Sequence, residues 1–258
     1  MFFDTHAHLD DVRFDADREE LISSLPATGI SHVLVPGSSL ESSRNAMKIA
    51  CEHPNIYFAA GVHPGEIGTM TDKTIDDLAD LAEQEKCVAI GEIGLDFYWY
   101  KDLIERDTQR YWFYQQLYLA RELNLPVIVH DREAHKECFD AVNKSGVRGV
   151  FHCYSSSAEM AMELVKIGFY CSFTGVVTYQ GARKSILAIE KLPMERILIE
   201  TDSPYLAPVP HQKDRNDPRN VRSVAEVIAR VKNLSVEEVA RITSENAACL
   251  FKINLLQK

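Results

Sequence analysis

The sequence predicts an α/β protein, a (β/α)8 TIM barrel that forms a single domain over residues 1–258. That length suits one barrel of alternating strands and helices closing on itself. Short apolar runs and amphipathic segments alternate along the chain, and the unit occurs eight times. Histidines and carboxylates stand at the carboxyl ends of those runs, where barrel enzymes carry their chemistry.

In chain order, the predicted strands cover residues 2–4, 32–36, 57–61, 87–91, 126–130, 149–152, 169–173 and 197–200. Several are apolar throughout, such as Val33-Leu34-Val35 and Val127-Ile128-Val129, as parallel strands buried on both faces require. Helical periodicity predicts helices over 16–26, 40–52, 74–84, 104–123, 132–145, 157–167 and 181–190, then 219–231 and 235–248. None has an internal proline. Residues 72–76 and the Ser235 to Glu238 spacing carry N-terminal capping chemistry, and Gly29, Gly146 and Gly168 stand where helices should stop. An open doubly wound sheet would show a similar alternation. The count of eight, and the lack of GxGxxG or GxxxxGK[ST] after the first strand, favour the barrel.

The composition, 46% hydrophobic and 26% charged, is that of a globular chain able to bury a full core. From Met1 the chain enters an apolar strand with no basic flank or long apolar stretch, so neither an export nor a membrane segment is expected. The cysteines at 51, 87, 138, 153, 171 and 249 form no CxxC pair and read as reduced core thiols of a cytoplasmic protein. Cys153 adjoins His152 and is a candidate soft ligand or nucleophile, but strand alternation turns it to the other face. The net charge of −10 excludes broad coating of nucleic acid, which needs many Lys and Arg contacts to phosphate. It leaves room for a phosphate-bearing substrate at a cation-filled site.

His6 and His8, spaced by two in extended chain, face the same way and can share one cation. Glu92, His130, His152 and Asp202 each end a different predicted strand on the same side of the barrel. Imidazole nitrogen and carboxylate oxygen suit Mg, Mn, Zn or Fe, and six such donors exceed the needs of one tetrahedral ion. Two divalent metal ions are therefore expected, held by His6, His8, Glu92, His130, His152 and Asp202.

The sequence resembles the TatD family of metal-dependent deoxyribonucleases, within the wider amidohydrolase-like barrels, over essentially its whole length. The resemblance rests on DTHAHLD at 4–10, GVHP at 61–64, GEIGLDFY at 91–98, PVIVHDRE at 126–133, FHCYSSS at 151–157 and ETDSPYLAP at 200–208. It implies that Glu92 bridges the two ions, that His6, His8 and Asp202 hold one, and that His130 and His152 hold the other. It also implies DNA, as ends or single strands, for substrate and attack from a 3′ end. Two departures stand out. Ser156 replaces a glycine common in relatives, and the loop from His211 to Asn216 carries Asp214 where relatives are more basic.

A water between cations about 3.5–4 Å apart would attack phosphorus in line, with Asp202 expected to take its proton. His63, before Pro64, is expected to donate a hydrogen bond to a phosphate oxygen. Glu200, two residues before Asp202, is expected to orient a ligand or the water. Tyr98 and Trp99, after Asp96, read as a stacking platform or as packing at the barrel mouth. Arg132, Lys213 and Arg215 are the phosphate-binding candidates. The rival readings are a hydrolase of amide, lactone or phosphotriester bonds on the same scaffold, and a metal-stabilised binding protein without turnover. No membrane association or obligate protein partner is expected.

Overall fold

The computed structural model describes residues 1–255, so the expected domain limit at residue 258 lies outside the described residues. The strands are β1 (Phe2–Asp4), β2 (Ile30–Pro36), β3 (Ile56–Ala60), β4 (Cys87–Asp96), β5 (Val127–Arg132), β6 (Gly149–Phe151), β7 (Tyr170–Phe173) and β8 (Ile197–Ile199). All pair in parallel, in sequential order. The seam between β1 and β8 is closed less regularly. Thr5 N donates to Ile199 O, Asp202 N to His6 O, and His8 N to Ser203 O. Asp4, which is fully buried, adds a side-chain clasp by accepting from Thr201 N at 2.9 Å and Thr201 Oγ1 at 2.6 Å.

Nine α-helices follow among the described residues: α1 (Arg18–Ser24), α2 (Leu40–Glu52), α3 (Asp72–Ala82), α4 (Leu103–Glu122), α5 (His135–Ser145), α6 (Ala158–Lys166), α7 (Arg183–Lys191), α8 (Val221–Lys232) and α9 (Val236–Phe251). Ser235 caps α9 through Glu238 N as the spacing predicts, whereas α3 is capped by Thr71, one residue before the stretch expected to do so. Gly146 ends α5 with φ 67°, a conformation open to glycine without a Cβ penalty.

Strand alternation divides the apolar side chains into two cores. Val35, Phe58, Ile90, Val129 and Phe151 face outward beneath the helices. Phe3, Leu34, Ala59, Ala89, Ile128, Val150 and Leu198 fill the barrel, where Leu250 and Phe251 of α9 and then Ile253 join them. Helix α9 therefore runs past the predicted end at residue 248 because its last turn plugs the amino-terminal mouth. The carboxyl-terminal mouth is left open for the polar residues.

Of the strand ends that differ from expectation at that mouth, those of β4 and β5 bear on the site. β4 does not end at Gly91 but continues to Asp96, paired with β5 up to Arg132, so Arg132 closes a strand instead of opening a helix. Between Ile90 and Ile93 the register slips, with Ile90 opposite Val127 and Ile93 opposite Val129. One extra residue on β4 makes a bulge, a device that re-aims a side chain, and Glu92 lies in it. Gly94, at φ 148°, lets β4 lie against β5 here, since a Cβ would sit 1.9 Å from His130 O.

Candidate metal centre

The structure brings the other five predicted ligands together around Glu92, which is 3% exposed and lies within β4, not after it. Its two carboxylate oxygens face different groups. Oε2 is 3.2 Å from His6 Nε2 and 3.6 Å from His8 Nε2. Asp202 Oδ1 completes that side at 3.6 and 3.5 Å from the same two nitrogens. Oε1 is 2.9 Å from His130 Nδ1 and 2.8 Å from His152 Nε2.

The spacing within each group tests whether a cation fits. Two nitrogens on one tetrahedral ion with bonds of about 2.0–2.1 Å lie roughly 3.3 Å apart. His6 Nε2 and His8 Nε2 are 3.2 Å apart, and His130 Nδ1 and His152 Nε2 are 3.3 Å apart. Each pair thus turns its ring nitrogens toward one point, and the donor set suits a divalent ion.

Charge in the cluster is strongly coupled. Burial works against ionising Glu92, but His152, His6, His63 and His130 outweigh it and hold the carboxyl well below the usual range. Burial likewise disfavours a charged His8, yet hydrogen bonding to Asp202 and the charges of Asp202 and Glu92 raise it to about 9. Bound cations would displace such protons, since a ligating imidazole must be neutral.

His130 and His152 each have a carboxylate behind them. Asp96 Oδ2 lies 3.3 Å from His130 Nε2, and Glu200 Oε1 lies 3.6 Å from His152 Nδ1 while accepting from Cys153 N at 2.6 Å. Glu200 therefore stands on the side of His152 away from Glu92. Metal-ligating histidines usually donate their second N–H to such a partner, which fixes ring and tautomer. No sequence signal marks Asp96 for this role, since it stands next to the aromatic residues Phe97, Tyr98 and Trp99 and meets His130 only through the pairing of β4 with β5. Asp10 also went unread: it accepts from Ser42 Oγ at 2.5 Å on the wall of the cleft.

His63 differs from the other histidines. Its Nδ1 accepts from Gly65 N at 3.0 Å, and its Nε2 points at Glu92 Oε1 at 3.7 Å. A neutral imidazole that accepts at Nδ1 carries its proton at Nε2. The ring thus presents a donor to the cluster. Burial, then the charge of His130, pushes its pKa down to about 3.

The cluster floors an open cleft of about 680 Å³ whose rim includes Trp99, Arg132 and Tyr205. Arg132 Cζ lies 4.3 Å from the centre of the Tyr98 ring and 5.5 Å from that of Trp99. Lys213 and Arg215 do not line this cleft. Arg215 is committed elsewhere, its guanidinium 2.7 and 2.6 Å from the two oxygens of Asp17. Asp214 pairs with His211 at 3.1 Å within its own loop, and Ser156 is buried away from the cleft.

Cys153 leaves the strand in a left-handed conformation at φ 43° and sets its Sγ 3.4 Å from Thr174 Oγ1. Burial pushes the thiol up to about 12, so it is neither a ready nucleophile nor a ready ligand. Cys153→Ala is expected to leave cation content and metal-dependent hydrolysis unchanged. A lost cation, measured by elemental analysis of the purified variant, would instead make the thiol a ligand.

A family model described as TatD related DNase matches residues 3–252. The chain is 42% identical over 257 residues to the uncharacterized metal-dependent hydrolase YabD of Bacillus subtilis, covering 98% of this chain and 100% of that protein. It is 37% identical to the uncharacterized metal-dependent hydrolase YcfH of Escherichia coli K12, over 97% of this chain and 96% of the relative. Among solved structures, the TatD homologue YjjV of Escherichia coli K12 superposes with a TM-score of 0.92 at 29% identity, covering 98% of each chain.

Proposed function

The chain belongs to the TatD related DNase family of metal-dependent hydrolases, and from that premise we propose that it cleaves DNA phosphodiester bonds, removing nucleotides from a 3′ end. The observation that carries this reading is the split of Glu92, one oxygen toward His6 and His8 and the other toward His130 and His152. A carboxylate so shared is suited to bridge two divalent ions, Mg, Mn or Zn, with Asp202 joining His6 and His8. Two ions so placed would neutralise charge on a scissile phosphate and make a water easier to deprotonate.

The side chains supply the rest. Asp202 accepts the proton of the attacking water, its carboxylate lining the cleft beside His8. His63 donates its Nε2–H to a phosphate oxygen. Glu200 acts from behind, its negative charge 3.6 Å from His152 Nδ1 favouring the ring proton on that nitrogen and so leaving Nε2 free. Arg132, the one Arg or Lys that lines the cleft among the described residues, is the phosphate contact at the rim. Trp99, 67% exposed, and Tyr98 offer ring faces for an unpaired base. Asp10, Asp11, Glu41 and Glu66 also line the cleft, so a polyanion gains entry only when cations offset them. The absence of lysine from that lining speaks against the amide-hydrolase reading, whose commoner signature is a bridging lysine. All six cysteines are unpaired, which supports the reducing cytoplasm as its place of action.

The test incubates metal-stripped protein with 5′-labelled single-stranded and duplex DNA, adding Mg, Mn or Zn separately. A ladder shortening stepwise from the 3′ end, only with cation, is expected. A protein that binds cations yet cleaves neither DNA with any of them would sink the DNA assignment and point to small phosphoesters.

A further inference from the structure

The carboxylate of Asp96 is divided between two tasks. Oδ2 faces His130 Nε2 at 3.3 Å, while Oδ1 accepts from Tyr98 N at 3.0 Å and Trp99 N at 2.9 Å. Asp96 itself is rigidly held at the end of β4. It is 2% exposed, its own N donates to Gln109 Oε1 at 3.0 Å, and Phe97 N continues the ladder to Arg132 O at 2.8 Å. From α4, Arg106 takes the carbonyls of Phe97 and Tyr100. The amides of Tyr98 and Trp99 are thus left to Asp96, and these two residues carry the aromatic faces beneath Arg132.

We propose that Asp96 is a positioning residue that couples the cation site at His130 to the aromatic loop, so that filling the site orders the platform for substrate. This rests on the reading of His130 as a ligand through Nδ1. An ion on Nδ1 would take the place of the proton that His130 now shares with Glu92, leaving Nε2–H as the ring's one donor, directed at Oδ2, and so fixing ring and tautomer against Asp96. A carboxylate pinned at Oδ2 has lost its freedom to rotate, and Oδ1 then holds the two loop amides more firmly. The cleft is in this way assembled for an anionic, base-bearing substrate only when the cation that must handle its phosphate is present.

The test measures cation binding by calorimetry, and hydrogen exchange at the amides of Tyr98 and Trp99, on the same metal-stripped and refilled protein. A hydrogen bond to a charged group should slow exchange of these amides by about 10-fold or more on refilling. An amide side chain has one acceptor oxygen and cannot serve both ring and loop. Asp96→Asn should therefore weaken cation binding about 10–100-fold and leave the two amides exchanging alike with and without cation. His130→Gln keeps Asp96 and the His6/His8 position, so it should bind cation there with no response in the loop. The coupling is overturned if cation binds the unsubstituted protein without slowing these amides, if His130→Gln still slows them, or if Asp96→Asn retains both affinity and protection. Should Asp96→Asn not fold, the unsubstituted protein and His130→Gln decide. If calorimetry finds no cation binding, the metal-centre reading falls as well, and that failure is distinct from binding with a silent loop.

Discussion

Glu92→Gln is expected to lower hydrolysis on the order of 10³-fold or more and to reduce the two cations proposed for the site to one or none. Partners that merely orient a ligand cost about 10–100-fold when removed; a shared ligand must cost more. Glutamine keeps the size of the side chain but offers one acceptor oxygen and turns an NH2 toward the other pair of imidazoles. That pair then faces a donor where an anion stood, which opposes a cation electrostatically and sterically. Because Glu92 sits in a bulge held by its own N–H to Gly37 O at 2.9 Å, the backbone has no means of turning the second pair away. Elemental analysis and single-turnover hydrolysis, with circular dichroism as the check on folding, measure the two effects. A folded variant that still binds two cations, or that cleaves within tenfold of the original, would deny Glu92 the bridging role.

Much of this centre was readable because its residues obey short-range rules. His6 and His8 are spaced by two, and the remaining donors follow apolar runs that are strands for ordinary reasons of burial. What escaped the sequence depends on contacts between distant segments. Gly91-Glu92-Ile93-Gly94 looks like the end of a strand, since glycine and charge break an apolar run. Imidazoles from β5 and the β1 and β6 ends keep Glu92 buried, and β5 carries the pairing onward to Asp96. Arg215 reads as a phosphate contact beside Lys213. Its true partner, Asp17, lies 198 residues away, and no local pattern announces it. The clasp from Asp4 to Thr201 spans 197 residues and is equally silent. The three extra residues of α9 follow from the open bottom of a barrel, a demand of the whole fold on Leu250 and Phe251 rather than of helix propensity.

His63→Ala should slow hydrolysis by about 10²–10³-fold, the usual cost of removing one donor aimed at developing negative charge, while the cation content of the protein stays unchanged. The alternative, that His63 is a further ligand beside Glu92 and His130, is reasonable on distance alone. It conflicts with the proton count. Gly65 N–H occupies the Nδ1 lone pair, so a neutral ring that also ligated through Nε2 would have no place for its proton. His63 is depressed to about 3 by burial and by the charge of His130, and nearby cations push it the same way. Above that pH the ring stays neutral and donating, so its removal should scale the whole pH–rate profile down without deleting a limb. His63→Gln, which can still donate from its amide, should recover part of the rate. A lost cation would make His63 a ligand, and a lost limb would make it a titrating acid or base; either measurement would overturn the donor assignment.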